Sequence, residues 1–195
     1  MVVKLGIIYL HMSIPINDVK PGVTVEIGKD LFCCLEFNQK RAAQQTSIKI
    51  KFKNIRTGAI INKTFNAGEK IEAARIEYKQ MQFLYADQDL FHFMDQTSFE
   101  QIALPKEKIG SSEKYLKEGL VVNISFYGEE ALDVNLPNTV ELKVVETSPG
   151  FKGDTVSGGK PATLETGAVI SVPFFVNVGD VLKINTEEDK YLGRA

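Results

Sequence analysis

Apolar and polar residues alternate through the segment that runs from Val23 to Phe65. The strings VTVEI, DLFCCLEF, SIKIKFKNI and AIINKTF are rich in β-branched and aromatic residues, and short polar turns separate them at Gly28-Lys29-Asp30 and Arg56-Thr57-Gly58. A two-residue period is that of a strand with one buried face. This segment therefore predicts a small twisted barrel of strands.

The middle of the chain continues the same period. Positions Glu77 to Tyr85 alternate, Asp87-Gln88-Asp89 predicts a hairpin turn before LFHFMD, and Gly128-Glu129-Glu130 joins LVVNISFY to ALDVNLP. The string AGEKIEAARIEYKQ can begin a short helix on propensity, but the alternation from Glu77 indicates that a new set of strands begins there. Ser111 or Ser112 can cap a short helix that runs through Lys117 and stops at Gly119.

The last part of the chain supplies a third set of strands, TVELKVVET, AVISVPFFV, VLKINT and KYLGR, with alternation from Ala168 to Phe175. Many short strands with few helices predict an all-β chain of small barrels. We place boundaries near Ala74 and Pro137, which gives domains 12–74, 75–137 and 138–195. Residues 1–11 are expected to be a poorly ordered N-terminal extension.

Charge changes this picture in one place. The chain of 195 residues has a net charge of −2, yet its first third is basic and its middle acidic. No acidic residue lies between Phe37 and Gly68, and the window contains Lys40, Arg41, Lys49, Lys51, Lys53, Arg56 and Lys63. Such a local basic surface suits phosphate, whatever the net charge. A solvated strand face explains it equally well.

Composition and motifs argue against several classes of protein. No apolar run approaches the ~20 residues of a membrane span, and the adjacent Cys33 and Cys34 fit small buried residues in a reducing cytosol better than a disulfide or a zinc site. The chain lacks the nucleophile, P-loop and metalloprotease motifs, and its two histidines lie apart. We therefore expect no enzyme, no cofactor and no metal site.

The glycine-punctuated block PGFKGDTVSGGKPATLETGAVISVPFFVNVG, from Pro149 to Gly179, is the most distinctive string. It resembles the signature of the bacterial translation elongation factor P family, whose pattern falls here on Lys160, Ala162, Gly167, Val172, Pro173 and Gly179. The strings NDVKPGVTVEIG, FMDQTSFEQ, LPNTVELKVVETSPG and YLGR also follow that family's order. The resemblance implies a KOW-type, SH3-like barrel followed by two OB-folds, in an elongated L-shaped molecule.

One segment departs from the family. Members present a hairpin tip that reads KPGKG, whose second Lys is post-translationally modified and reaches the peptidyl-transferase centre. The tip here is KRAAQQ, and Ala43 occupies the modified position. Three interpretations stay open: Lys40 and Arg41 supply the cation, the protein binds the ribosome and acts in an altered way, or the copy is nonfunctional or the tip is misaligned. The equal spacing to FKNIRTG argues against a slipped alignment. The lost glycines also disfavour a turn that needs positive φ.

The resemblance implies further contacts. We expect tRNA or rRNA contacts from three groups of side chains: the basic window (Lys49, Lys51, Lys53 and Arg56), the glycine-rich loop (Lys152, Asp154 and Lys160) and the C-terminus (Tyr191 and Arg194). The loop that approaches the E-site codon in the family reads Gly110-Ser111-Ser112 here, without the usual acidic residue. For Tyr191, packing at the mouth of a barrel is an equal alternative to stacking on RNA.

The resemblance implies a nonenzymatic, cytoplasmic factor, monomeric and without a membrane partner. It would bind the ribosome near the E site beside peptidyl-tRNA or initiator tRNA and promote peptide-bond formation at consecutive prolines. A lysine- or arginine-modifying enzyme is a further partner in the family. The alternative is a general single-strand nucleic-acid-binding protein that uses its OB-folds. The acidic balance after Arg75 counts against this alternative.

Overall fold

The fold consists of three antiparallel sheets along the chain. A computed structural model describes residues 12–42, 45–148 and 159–195, and only the backbone at residues 41, 42 and 45. The strands of the first sheet are β1 Met12–Pro15, β2 Thr24–Ile27, β3 Asp30–Ala42, β4 Gln45–Asn54, β5 Ile60–Asn66 and β6 Lys70–Ala73. A short 3-10 helix, Ile16–Asp18, follows β1. The spatial order is β1-β6-β2-β3-β4-β5.

The second and third sheets have five strands each. The second has the order β11-β10-β7-β8-β9 and comprises β7 Glu77–Asp87, β8 Leu90–Asp95, β9 Gln101–Pro105, β10 Val121–Tyr127 and β11 Glu130–Asn135. The third has the order β14-β13-β12-β15-β16 and comprises β12 Thr139–Thr147, β13 Lys160–Leu164, β14 Val169–Val172, β15 Val181–Asn185 and β16 Lys190–Arg194. The all-β prediction is confirmed.

Strand alternation places the cores where the sequence predicts them. In β4, Ile48, Ile50 and Phe52 are fully buried, and in β7 Met81 and Phe83 are buried. Burial of side chains of this size contributes on the order of 1.5–3 kcal/mol each. The alternation in the chain therefore fixes which face of each strand packs inward.

Three predicted elements differ from the structure. The segment after Ala67, whose propensity allows a short helix, instead forms strand β6, because residues 70–73 pair with both β1 and β2. The helical turn near Ser111 begins earlier, with α1 Lys106–Ile109 followed by a 3-10 helix at Gly110–Tyr115, and no side chain caps either helix. The alternating run from Ala168 ends as a strand at Val172, and a turn begins at Pro173.

The chain divides into two compact units. One contains the residues up to Glu77 together with Phe126–Leu132, and the other contains Tyr78–Ser125 and Asp133–Ala195. The first unit therefore includes the residues at the turn of the β10–β11 hairpin. No helix in the described part of the chain is long and apolar enough to span a bilayer.

Candidate nucleic-acid interface

The outer surface of strands β3 and β4 carries a row of lysines. Lys49, Lys51 and Lys53 alternate along β4 with Ile48, Ile50 and Phe52, which face the core of the first unit. The predicted placement of these lysines on one strand face is confirmed. Because the inward residues are locked by packing, the lysines cannot rotate away from solvent without a shift of register.

Cross-strand pairing adds Lys40 to the same surface. Lys40 lies opposite Ser47, and Asn38 lies opposite Lys49. Directly paired residues share a face in an antiparallel sheet. We call the surface that bears Lys40, Lys49, Lys51 and Lys53 the lysine face.

One carboxylate neutralises part of this surface. The Lys51 ammonium donates a 2.7 Å hydrogen bond to Glu36, its cross-strand partner. Within the described ranges, Lys40, Lys49 and Lys53 form no ion pair, and all three are exposed. Their charges are therefore available to an anionic ligand, whereas that of Lys51 is shared with Glu36.

The β3–β4 hairpin extends to the predicted tip. Pairing continues through Arg41 opposite Thr46 to Ala42 opposite Gln45. Ala43, the position that aligns with the modified lysine, lies outside the described residues, and Arg41 is described only by its backbone within β3. Lys40 is the described cation nearest the end of the hairpin, about 7 Å behind the last pair at the usual rise per residue.

Arg56 is held by its own chain. Its Nε and Nη2 donate to the two carboxylate oxygens of Glu130 at 3.0 and 2.7 Å, and its Nη1 donates to the Lys29 carbonyl at 2.7 Å. The hydrogen bond to Glu130 is the main reason that the pKa of Arg56 is raised. All three residues belong to the first compact unit. Arg56 therefore has an intramolecular role, and its RNA contact stays a prediction.

Lys160 also has an internal partner. Its side chain is buried and its ammonium donates to the Ser148 carbonyl at 2.7 Å. A buried ammonium is retained where hydrogen bonding offsets its lost hydration. This bond anchors the start of β13, and the RNA contact expected from Lys160 stays a prediction. Lys152 and Asp154 lie outside the described residues.

Tyr191 and Arg194, the two C-terminal residues expected to contact RNA, both contact other parts of this chain. Tyr191 packs against the core of the third sheet, as the alternative interpretation predicts. Arg194 donates to the Phe175 carbonyl at 2.8 Å, pairs with Asp180 at 3.0 Å and lies over the Phe175 ring. Arg194 therefore stabilises the segment that follows β14, and its guanidinium is only partly available to bind another molecule.

The Gly110-Ser111-Ser112 segment opens the 3-10 helix after α1. Gly110 has φ of 55°, and Gly110 and Ser111 are exposed. Ser112 instead donates a long, 3.4 Å hydrogen bond to the carbonyl of Val134 in β11. Of the three residues, Gly110 and Ser111 are thus the ones that remain accessible to a ligand.

Comparison with known proteins accounts for all three sheets. The Elongation factor P (EF-P) KOW-like domain matches residues 15–71, the Elongation factor P (EF-P) OB domain matches residues 76–134, and Elongation factor P, C-terminal, matches residues 140–194. The elongation factor P of Pelotomaculum thermopropionicum is 47% identical over 91% of this chain and 97% of its own length. That of Symbiobacterium thermophilum is 47% identical over 93% of this chain and its full length.

The chain belongs to the elongation factor P family. It is accordingly a translation elongation factor, and the predicted sequence of a KOW-like domain and an OB domain is confirmed. Among solved structures, translation initiation factor 5A from Methanococcus jannaschii matches 64% of this chain and 94% of its own with a TM-score of 0.56 at 16% identity. This similarity to a solved structure supports the fold alone.

Two acidic partners in this elongation factor were not indicated by the sequence. Glu36 and Glu130 were missed, since neither lies within the basic window that first indicated a phosphate surface. Only the pairing of β3 with β4 could have indicated Glu36, and no local signal points to Glu130. The described residues hold no group of three or more His, Cys, Asp or Glu side chains suited to a metal ion.

Proposed function

We propose that this elongation factor binds the ribosome near the E site, beside peptidyl-tRNA or initiator tRNA, and promotes peptide-bond formation at consecutive prolines in the cytoplasm. It assists the ribosome's own reaction and catalyses none itself. The observation that carries the proposal is the lysine face, where exposed cations lead along one side of a long hairpin to its end.

The spacing of these lysines suits a nucleic-acid backbone. Lys49 and Lys53 are separated by about 13 Å along β4, and Lys40 lies about 7 Å beyond Lys49 toward the hairpin end. Lysine contacts phosphate as a point charge on a flexible stem, without a demand for one geometry. Such a row can follow an RNA backbone and bring the hairpin end toward the acceptor end of a tRNA.

In the proposal, a residue other than Ala43 makes the contact with the acceptor end of the tRNA. The methyl group of Ala43 provides neither a cation nor a site for modification. In the proposal Lys40 supplies the positive charge, and it contributes by positioning the tRNA and lowering the entropic barrier to reaction. A modifying enzyme, if one acts on this tip, must use Lys40 or Arg41 because these are its side chains with a reactive amine or guanidinium.

Salt-dependent ribosome binding tests the lysine face. The double variant Lys49→Gln and Lys53→Gln should bind ribosomes about tenfold more weakly, and the slope of log affinity against log salt should fall by roughly 1–2. The control is Lys20→Gln with Lys143→Gln, because these exposed lysines lie off the lysine face and the loss of charge is the same. The control should retain the wild-type affinity and slope.

Two results would contradict the proposal. Equal weakening by both double variants would mean that only net charge matters. Equal, salt-sensitive affinity for ribosomes and for free single-stranded RNA would instead support a general nucleic-acid-binding protein.

A further inference from the structure

The turn that joins β8 to β9 holds an aromatic residue in an unusual conformation. Phe99 has φ of 61° and is 69% exposed. Two other non-glycine residues of the described chain have positive φ, Gln88 and Asp189, and both are polar. A bulky residue in the left-handed region is an outlier that requires a cause.

Hydrogen bonds fix the backbone of this turn. The Asp95 carboxylate accepts from the amides of Thr97 and Ser98 at 2.7 and 3.1 Å, and these bonds are the main reason that its pKa is lowered. The Phe99 amide donates to the Asp95 carbonyl at 2.9 Å, and the Asp95 amide donates to the Glu100 carbonyl at 2.9 Å. These hydrogen bonds close the turn before and after Phe99. They therefore fix its backbone in the conformation that points the ring toward solvent.

Neither the backbone nor the core explains a phenylalanine at this position. Glycine or asparagine adopts the left-handed conformation with less strain, so the turn itself favours a smaller residue. Burial offers no compensation, because most of the ring is in solvent and it forms no aromatic contact with the described residues. The ring thus has the geometry of a group presented to a partner.

The surroundings of the ring indicate the chemistry of that partner. The residues beside it, Gln96, Thr97, Ser98, Glu100 and Gln101, are all polar and exposed. A protein-docking site would need a contiguous apolar patch with several anchors. A single flat ring among hydrogen-bonding side chains instead suits stacking on one nucleobase, whose edge can bond to those side chains.

We infer that Phe99 stacks on an unpaired RNA base in the complex of this factor with the ribosome and its tRNA. The inference rests on the proposed function and adds a second contact, far in sequence from the lysine face. The exposed Glu100 directly follows Phe99, so phosphate is disfavoured there and the contact is made to a base. Phe99 should therefore contribute affinity with little dependence on salt.

Three full-length variants test this contact. Phe99→Asn removes the ring but tolerates the left-handed backbone, and Phe99→Tyr retains a ring. Phe99→Trp introduces a single tryptophan as a fluorescent probe, since the chain otherwise contains none. Each variant is titrated with ribosomes that carry peptidyl-tRNA, at several salt concentrations, and its thermal unfolding is followed by circular dichroism.

The inference predicts a specific combination of results. Phe99→Asn should unfold at or above the wild-type temperature yet bind ribosomes between about 5-fold and about 150-fold more weakly, the range for loss of one stacked base. Its salt slope should match that of wild type. Phe99→Tyr should bind within about threefold of wild type, and the tryptophan fluorescence of the Phe99→Trp variant should be quenched on binding.

Other results would overturn it. Wild-type affinity of Phe99→Asn, alongside weakened binding by the Lys49 and Lys53 double variant, would contradict this inference and leave the proposed function intact. If Phe99→Asn is destabilised, the Phe99→Trp variant tests the inference instead. Absence of fluorescence quenching when folded Phe99→Trp protein is bound to ribosomes would mean that the ring has only a structural role. Failure of wild-type protein to bind ribosomes would contradict the proposed function itself.

Discussion

Replacement of Arg56 by Ala should destabilise the first compact unit and should do so through Glu130. Arg56 donates two hydrogen bonds to the Glu130 carboxylate, at 3.0 and 2.7 Å, and a third to the Lys29 carbonyl at 2.7 Å. The side chains of Arg56 and Glu130 are 29% and 39% exposed, so solvent screens part of the attraction. A bidentate arginine–carboxylate pair is nonetheless stronger than a simple surface pair.

These contacts set the expected magnitude. An exposed ion pair contributes about 0.2–1 kcal/mol, and the paired geometry places this one near the top, at about 1 kcal/mol. The hydrogen bond to Lys29 adds about 0.5–1.5 kcal/mol. We therefore expect Arg56→Ala to lower the free energy of unfolding by about 2 kcal/mol and Glu130→Gln by about 0.5–1 kcal/mol.

A double-mutant cycle isolates the pair. Urea unfolding of wild type, Arg56→Ala, Glu130→Gln and the double variant should give a coupling energy of about 0.5–1 kcal/mol. Lys53→Ala is the matched control, because it removes one exposed charge from the same sheet and should change the free energy of unfolding by less than about 0.5 kcal/mol. Coupling below about 0.3 kcal/mol, or an Arg56→Ala effect no larger than the control, would refute the structural role of Arg56.

Two further predictions concern titrating groups. Hydrogen bonds from Lys114 and then Tyr115 lower the pKa of Asp189. The stabilisation by Asp189 is therefore complete above its unfolded-state pKa of about 3.9 and is lost as pH falls through the lower folded pKa. Wild type should have a higher urea midpoint than Asp189→Asn at pH 6–8, and this difference should shrink below about pH 4. Burial, and secondarily Cys33, raises the pKa of the Cys34 thiol. Iodoacetamide at pH 8 should therefore add one adduct first by intact mass, which peptide fragmentation should place on the half-buried Cys33; equally rapid double alkylation of the folded protein would contradict the burial of Cys34.

The strand periodicity predicted the cores because it is a local property of the chain. Ile48, Ile50 and Phe52 alternate with lysines, and the structure buries the former and exposes Lys49 and Lys53. The same reasoning failed at Pro173, where proline lacks the amide that a further ladder bond requires, and β14 ends at Val172. Alternation alone cannot indicate where pairing stops.

The roles of individual cations were less predictable, because their partners are distant in sequence. Arg56 and Glu130 are separated by 74 residues, and a basic window gives no sign of that contact. Lys160 lies within the family signature but is buried against the Ser148 carbonyl. The local sequence does not indicate the positive φ of Phe99 either, since that conformation depends on the hydrogen bonds by which Asp95 closes the turn.

Translation of a reporter with consecutive prolines, in a reconstituted system with the unmodified recombinant protein, tests the central claim most directly. The account predicts that wild-type protein relieves stalling and that Lys40→Gln, although it still binds ribosomes, does not. Lys20→Gln serves as the control and should behave as wild type. Stalling that persists with ribosome-bound wild-type protein, or full relief by Lys40→Gln, would contradict the claim that Lys40 replaces the missing lysine at Ala43.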